Sequence, residues 1–154
     1  MVKRNILLKL EYHIEKKTGK KIRLFNAFFV EKNKMICKII YKNKIYEIKE
    51  FLEDIHSNYP NEDSVTIKLM ILNTNIINAE QMFEGCNYLV SITNINKYNR
   101  LYFNNMNRMF YECNSLIYLQ GISQKNIDDL SDMKDNFYEN NSLKFLMIYQ
   151  NGML

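Results

Sequence analysis

Leu8, Leu10, Tyr12 and Ile14 alternate with Lys9, Glu11, His13 and Glu15. An apolar residue at every second position sets one face of a strand in a core and the other in water. The segment therefore predicts a half-buried strand. Lys16-Lys17-Thr18-Gly19-Lys20-Lys21 breaks the pattern, and Gly19 suits a turn that needs positive φ. Alternation resumes at Ile22 and Leu24 across Arg23. The stretch Phe25 to Asn33, with Ala27-Phe28-Phe29-Val30 at its centre, fits either a strand or a packed helical turn. Ile36 to Tyr41 and Ile45 to Ile48 are rich in β-branched and aromatic residues and predict a second strand pair. Lys42-Asn43-Lys44 between them predicts a tight loop with Asn43 near the left-handed region. Phe51, Leu52 and Ile55 have helical spacing and predict a short helix. Residues 57–64 are polar, include Pro60, and predict a linker between a β-rich cap at 1–56 and a second unit at 65–154.

That second unit repeats itself. Met82-Phe83-Glu84-Gly85-Cys86-Asn87-Tyr88-Leu89 returns as Met109-Phe110-Tyr111-Glu112-Cys113-Asn114-Ser115-Leu116, and again as Asn136-Phe137-Tyr138-Glu139-Asn140-Asn141-Ser142-Leu143, each step being 27 residues. Ile92, Leu119 and Leu146 keep the register, as do Ala79, Met106 and Met133. Val65, Ile67 and Ile76 fall at the end of a weaker preceding copy. One coil of this length cannot bury its apolar side chains alone, so equivalent residues are expected to stack one turn away. Phe83, Phe110 and Phe137 should then form an aromatic ladder, and Leu89, Leu116 and Leu143 an aliphatic one. Asn87, Asn114 and Asn141 share a register suited to bonding turn backbone.

Met109, Phe110, Cys113, Ser115, Leu116, Leu119 and Ile122 follow in order the Met-Phe-x-x-Cys-x-Ser-Leu-x-x-Leu-x-x-Ile unit of the BspA-like leucine-rich repeat family. The chain resembles that family over about residues 65–150. Asn99 with Met106 and Asn126 with Met133 fill later slots; Tyr98 stands where the family has Trp, and the third copy replaces Met and Cys by Asn136 and Asn140. The resemblance implies an α/β, β-rich fold: a short leucine-rich-repeat solenoid with a parallel sheet, used for protein–protein contact. The N-terminal strands, a β-hairpin-rich cap, look like the leader before these repeats in protist members.

Composition changes little. Of 154 residues, 47% are hydrophobic and 25% charged, the balance of a folded domain rather than a disordered one. Asn, Ile, Lys and Tyr enrichment points to an AT-rich genome. Residues 1–50 hold 14 Lys+Arg against 5 Asp+Glu, and residues 51–154 hold 7 against 12. A basic half of this kind raises a second class of function, a structural subunit of a nucleic-acid-containing assembly. No run of about 18 residues is free of charge, so no membrane span is expected. Lys9 and Glu11 interrupt the apolar start, which argues against a secretory signal and for an intracellular protein.

Candidate chemistry is sparse. Three cysteines, Cys37, Cys86 and Cys113, with no Cys-x-x-Cys and with both histidines (His13, His56) ahead of the repeats, do not make a zinc set. Cys86 and Cys113 are expected to be adjacent, buried and reduced. No nucleophile motif or glycine-rich phosphate loop accompanies the histidines, so no enzyme, metal or cofactor is expected. The interaction surface is expected at the last strand. Leu143-Lys144-Phe145-Leu146-Met147-Ile148-Tyr149 is apolar on both faces, and a bare strand of this kind seeks a partner. Phe145, Met147, Tyr149, Met153 and Leu154 are the candidate contacts, taken up by a protein partner or a second copy of the chain; the alternative is that Met153 and Leu154 fold back over the last coil and close it.

Overall fold

The computed structural model describes residues 5–16, 19–59, 61–74, 76–94, 101–123, 136–140, 142 and 145–149. The fold is β-rich. The strands are β1 (Ile6–His13), β2 (Cys37–Tyr41), β3 (Lys44–Glu47), β4 (Ser64–Ile71), β5 (Ile76–Asn78), β6 (Leu89–Asn94), β7 (Tyr102–Asn104), β8 (Tyr118–Ser123) and β9 (Phe145–Tyr149). One short helix, α1 (Ala27–Asn33), and a 3-10 turn at Leu52–Asp54 complete the described elements. Seven strands form a mixed sheet in the order β3-β2-β4-β1-β6-β8-β9, and β5 and β7 pair in a second small sheet.

β1 sits near the middle because its alternation is complete. Ile6, Leu8, Leu10 and Tyr12 are buried, while Leu7, Lys9 and Glu11 are half-buried on the opposite face. β4 pairs with β1 antiparallel (Leu10 opposite Ile67), and so does β6 on the other side (Leu10 opposite Ile92). Val65 and Ile67, expected at the end of an earlier repeat, therefore lie in an antiparallel strand flanked by β1 and β2. Their eight-residue strand matches β1 in length and buries Val65, Ile67, Leu69 and Ile71 against the same core. The polar stretch expected as a linker at 57–64 is also tied down. Tyr59 packs against the core, and the Asp63 carbonyl accepts the Ile14 N–H at 2.9 Å. One sheet and one apolar core thus run from the N-terminal strands into the repeats.

The β2–β3 hairpin turns at Lys42 and Asn43, whose φ values of 47° and 62° are both left-handed, as a two-residue turn matched to strand twist requires. The ambiguous stretch after Leu24 becomes α1. The Asn26 side-chain oxygen accepts the Phe28 N–H at 2.8 Å and caps it. Phe25, Phe29 and Asn33, spaced four apart, then face inward. The Asn33 amide donates to the Phe29 carbonyl at 3.1 Å and to the Asn78 carbonyl of β5 at 3.0 Å, which ties the helix to the small sheet.

The repeated segments stack in parallel. Ser91, Ile92 and Thr93 of β6 lie opposite Tyr118, Leu119 and Gln120 of β8, a shift of 27 residues. Tyr118 and Leu119 in turn lie opposite Phe145 and Leu146 of β9, again 27 residues on. The turns preceding these strands are bonded too: Gln81, Phe83 and Gly85 donate their N–H groups to the Asn107, Met109 and Tyr111 carbonyls at 2.9 Å. Within each turn the same position is left-handed: Gly85 at 72°, Glu112 at 58° and Glu139 at 57°. Only the first carries the residue that adopts this conformation without strain.

Candidate interaction surface

The stacked turns bring the repeated aromatic residues together inside. Phe83 and Phe110 lie with centroids 5.9 Å apart and planes at 8°; Phe110 and Phe137 are 5.5 Å apart at 12°. The row continues beyond the repeats: Phe25 is 5.7 Å from Phe83, and Phe29 is 5.6 Å from Phe25. Five rings from four separate segments therefore form one spine, and the segment joining it from the N-terminal side is α1 with Phe25 just ahead of it. Leu89 and Leu116 are buried; Leu143 and Asn141 lie outside the described residues. Asn114 donates its side-chain amide to the Asn87 side-chain oxygen at 3.3 Å, so these asparagines bond each other across the turns rather than turn backbone.

The thiols are free and fully buried at Cys37, Cys86 and Cys113. Cys113 donates from Sγ to the Phe83 carbonyl at 2.9 Å. Burial pushes the Cys37 thiol up to about 12 and raises Cys86 and Cys113 as well. Tyr12, buried beside Cys86 and Cys113, is raised for the same reason and donates its hydroxyl to the Leu24 carbonyl at 2.7 Å. Such protonated, solvent-excluded sulfurs are packing groups, not nucleophiles. Among the described residues no three His, Cys, Asp or Glu gather to hold a metal. His13 is exposed at the end of β1. His56 stands beside the Tyr41 ring at 5.3 Å and the Tyr59 ring at 6.2 Å, with Glu62 3.9 Å from its Nε2.

Part of the basic N-terminal half is paired within the fold. Lys16 meets Asp63 at 2.7 Å, Lys42 meets Glu62 at 2.9 Å, Arg23 meets Glu50 at 3.1 Å and Lys38 meets Glu47 at 2.6 Å. On the open face of the sheet Lys9 lies 3.6 Å from Glu11, whose other oxygen accepts the Ser91 hydroxyl at 2.6 Å. Two of these pairs, Lys16–Asp63 and Lys42–Glu62, bring together charges from the basic and acidic parts of the chain.

The sheet has two edges among the described strands, β3, which pairs with β2, and β9. β9 is the last strand of the seven, hydrogen-bonded to β8 alone among the described strands. Of the candidate contacts, Phe145, Met147 and Tyr149 lie on it; Met153 and Leu154 lie outside the described residues. The same end of the stack carries a cluster on the turn surface that the sequence reading passed over. The Arg108 guanidinium lies 4.0 Å from the Tyr111 ring centroid and bonds Glu84 through Nε at 3.2 Å and a terminal nitrogen at 2.6 Å. Tyr138 stacks on Tyr111 at 5.0 Å and 11°. Glu84, Tyr111 and Tyr138 share one repeat register, and that identity of position was the available signal.

No family model, curated protein or solved structure matches the chain. No helix among the described residues is long and apolar enough to cross a membrane.

Proposed function

We propose that this chain is a non-enzymatic protein–protein interaction or scaffold module, built on a short BspA-like leucine-rich-repeat solenoid and working inside the cell. The observation that carries the reading is the parallel pairing of β6, β8 and β9 at the repeat spacing, which ends on the β9 edge. A strand in that place offers a row of backbone donors and acceptors that a partner strand can take up. Buried free thiols at Cys37, Cys86 and Cys113 support a reducing setting. The alternative, a structural subunit of a nucleic-acid assembly, draws on the charge of residues 1–50, of which Lys16 and Lys42 are paired with Asp63 and Glu62.

The test is affinity capture from the source cell with mass spectrometry, run beside light scattering, on the wild type and on Phe145→Glu. A partner protein, or a mass above that of one chain, lost in the variant supports edge docking. A monomer whose captured proteins are unchanged by the substitution overturns it. A nucleic-acid shift at about 50 mM salt that fades by about 200 mM would favour the alternative.

A further inference from the structure

The face of the seven-stranded sheet turned away from the core is open over its central strands. Residues directly opposite in an antiparallel pair point to the same side. Ile45, Ile40, Lys68, Lys9 and Thr93 are opposite one another in turn across β3, β2, β4, β1 and β6, and so make one row on that face. Ile45 is 64% exposed, Lys68 is exposed, and Ile40, Lys9 and Thr93 are half-buried. Two lysines therefore stand side by side in the middle of the sheet, where like charges directly opposite repel. One row away, Lys38 lies opposite a carboxylate instead and bonds Glu47 at 2.6 Å. Lys9 reaches Glu11 at 3.6 Å, and the other oxygen of that carboxylate already accepts the Ser91 hydroxyl. Lys68 makes no ion pair among the described residues.

We propose that this face docks an extended acidic segment of a partner protein, with one of its carboxylates between Lys9 and Lys68 and an apolar side chain over Ile40 and Ile45. A carboxylate accepts from both ammonium groups and replaces their repulsion with two charge-assisted hydrogen bonds. The uncharged part of the row, Ile40 and Ile45, leaves apolar surface in water, and a segment of alternating acidic and apolar residues covers it. A nucleic-acid strand fits less well, because Glu11 and Glu47 lie on the same face and repel phosphates. The surface lies on strands set apart from β9 in the sheet order, so it does not depend on docking at that edge.

The experiment is a titration of the full, 15N-labelled chain with the peptide acetyl-(Val-Glu)3-amide, followed by backbone 1H–15N spectra. The (Val-Gln)3 and (Val-Lys)3 peptides and a short oligothymidylate serve as comparisons. The signals of Lys9, Ile40, Ile45 and Lys68 should shift together and saturate with the glutamate peptide, bind the glutamine peptide about fivefold more weakly, and ignore the lysine peptide. Lys68→Gln should weaken glutamate-peptide binding about threefold or more while leaving the melting temperature unchanged or higher, since it removes the like charge opposite Lys9. Lys44→Gln removes the same charge outside the row, opposite Tyr41, and should leave binding unchanged. A silent row overturns the inference, as does equal weakening by the two substitutions, which would reduce it to net charge. Tighter binding of the oligothymidylate at these residues overturns it in favour of phosphate. Shifts on raising protein concentration alone overturn it by making a second copy the occupant. Phe145→Glu should bind the glutamate peptide as the wild type does. A silent row beside edge docking lost in that variant sinks this inference and leaves the docking reading standing. A responsive row with an inert edge does the reverse.

Discussion

Replacing Phe110 by alanine should cost more stability than the same change at Phe137. Phe110 is fully buried and has a stacked ring on each side, Phe83 at 5.9 Å and Phe137 at 5.5 Å. Phe137 is only partly buried and has one stacked neighbour among the described residues, Phe110. A buried Phe→Ala change costs about 3–5 kcal/mol. Each aromatic pair adds about 0.5–1.5 kcal/mol beyond its area, and Phe110→Ala breaks two pairs where Phe137→Ala breaks one. With the smaller burial at Phe137, the two variants should differ by about 1–2 kcal/mol. For a chain of this size each kcal/mol moves Tm by about 2–4 °C, so the gap should be roughly 2–8 °C. Urea unfolding with unchanged m-values would give the difference directly. Phe110→Leu keeps most of the volume and should lose about 1–3 kcal/mol, the share of the two ring pairs. Equal losses at the two positions, or a larger loss at Phe137, would refute the argument that stacking across the turns holds this core.

Other measurements bear on separate parts of the fold. Tyr12→Phe removes the buried bond to the Leu24 carbonyl and leaves that oxygen unpaired, so a loss of about 1–3 kcal/mol is expected in denaturant melts; a neutral change would contradict the bond. Gly85→Ala meets only Arg23 at 3.7 Å, an ordinary contact, yet forces alanine to a φ of 72°; a loss of about 1–2 kcal/mol is expected, and no loss would show that the turn relaxes. Burial raises Cys37 from 9.0 to about 12. The unfolded chain then releases that proton first, so the stability it contributes is complete below about pH 9 and falls as pH climbs toward 12. Cys86, Cys113 and Tyr12 shift in the same direction, so Tm should be flat from neutral pH and decline above this point; a rise there would oppose the sign. All three thiols should resist alkylation in the native chain and react once it unfolds; a fast-reacting thiol in the folded protein would contradict their burial.

What is periodic in the chain was legible before any coordinates. Alternation in Leu8 to Ile14 placed a strand with one buried face, and the recurrence of Met-Phe-x-x-Cys predicted that like residues meet, because a repeat buries its apolar side chains only against its own copies. Asn43 signalled the hairpin turn, whereas the left-handed Glu112 and Glu139 became readable only through Gly85 in the same register. Phe25 to Asn33 was unreadable in isolation, since Phe28, Phe29 and Val30 favour strands as readily as the Asn26 cap favours a helix. Burial of Phe25 against Phe83, with Phe29 stacked on Phe25, decided it. The tertiary structure alone also decided that β1 is paired on both sides, by β4 and by β6. Its pattern of buried and half-buried residues is the same whichever strands lie beside it, and the choice depends on which partners match its length and share its core. Charge followed the same rule: Lys16 and Lys42 look unbalanced along the chain, and only the fold brings Asp63 and Glu62 to them.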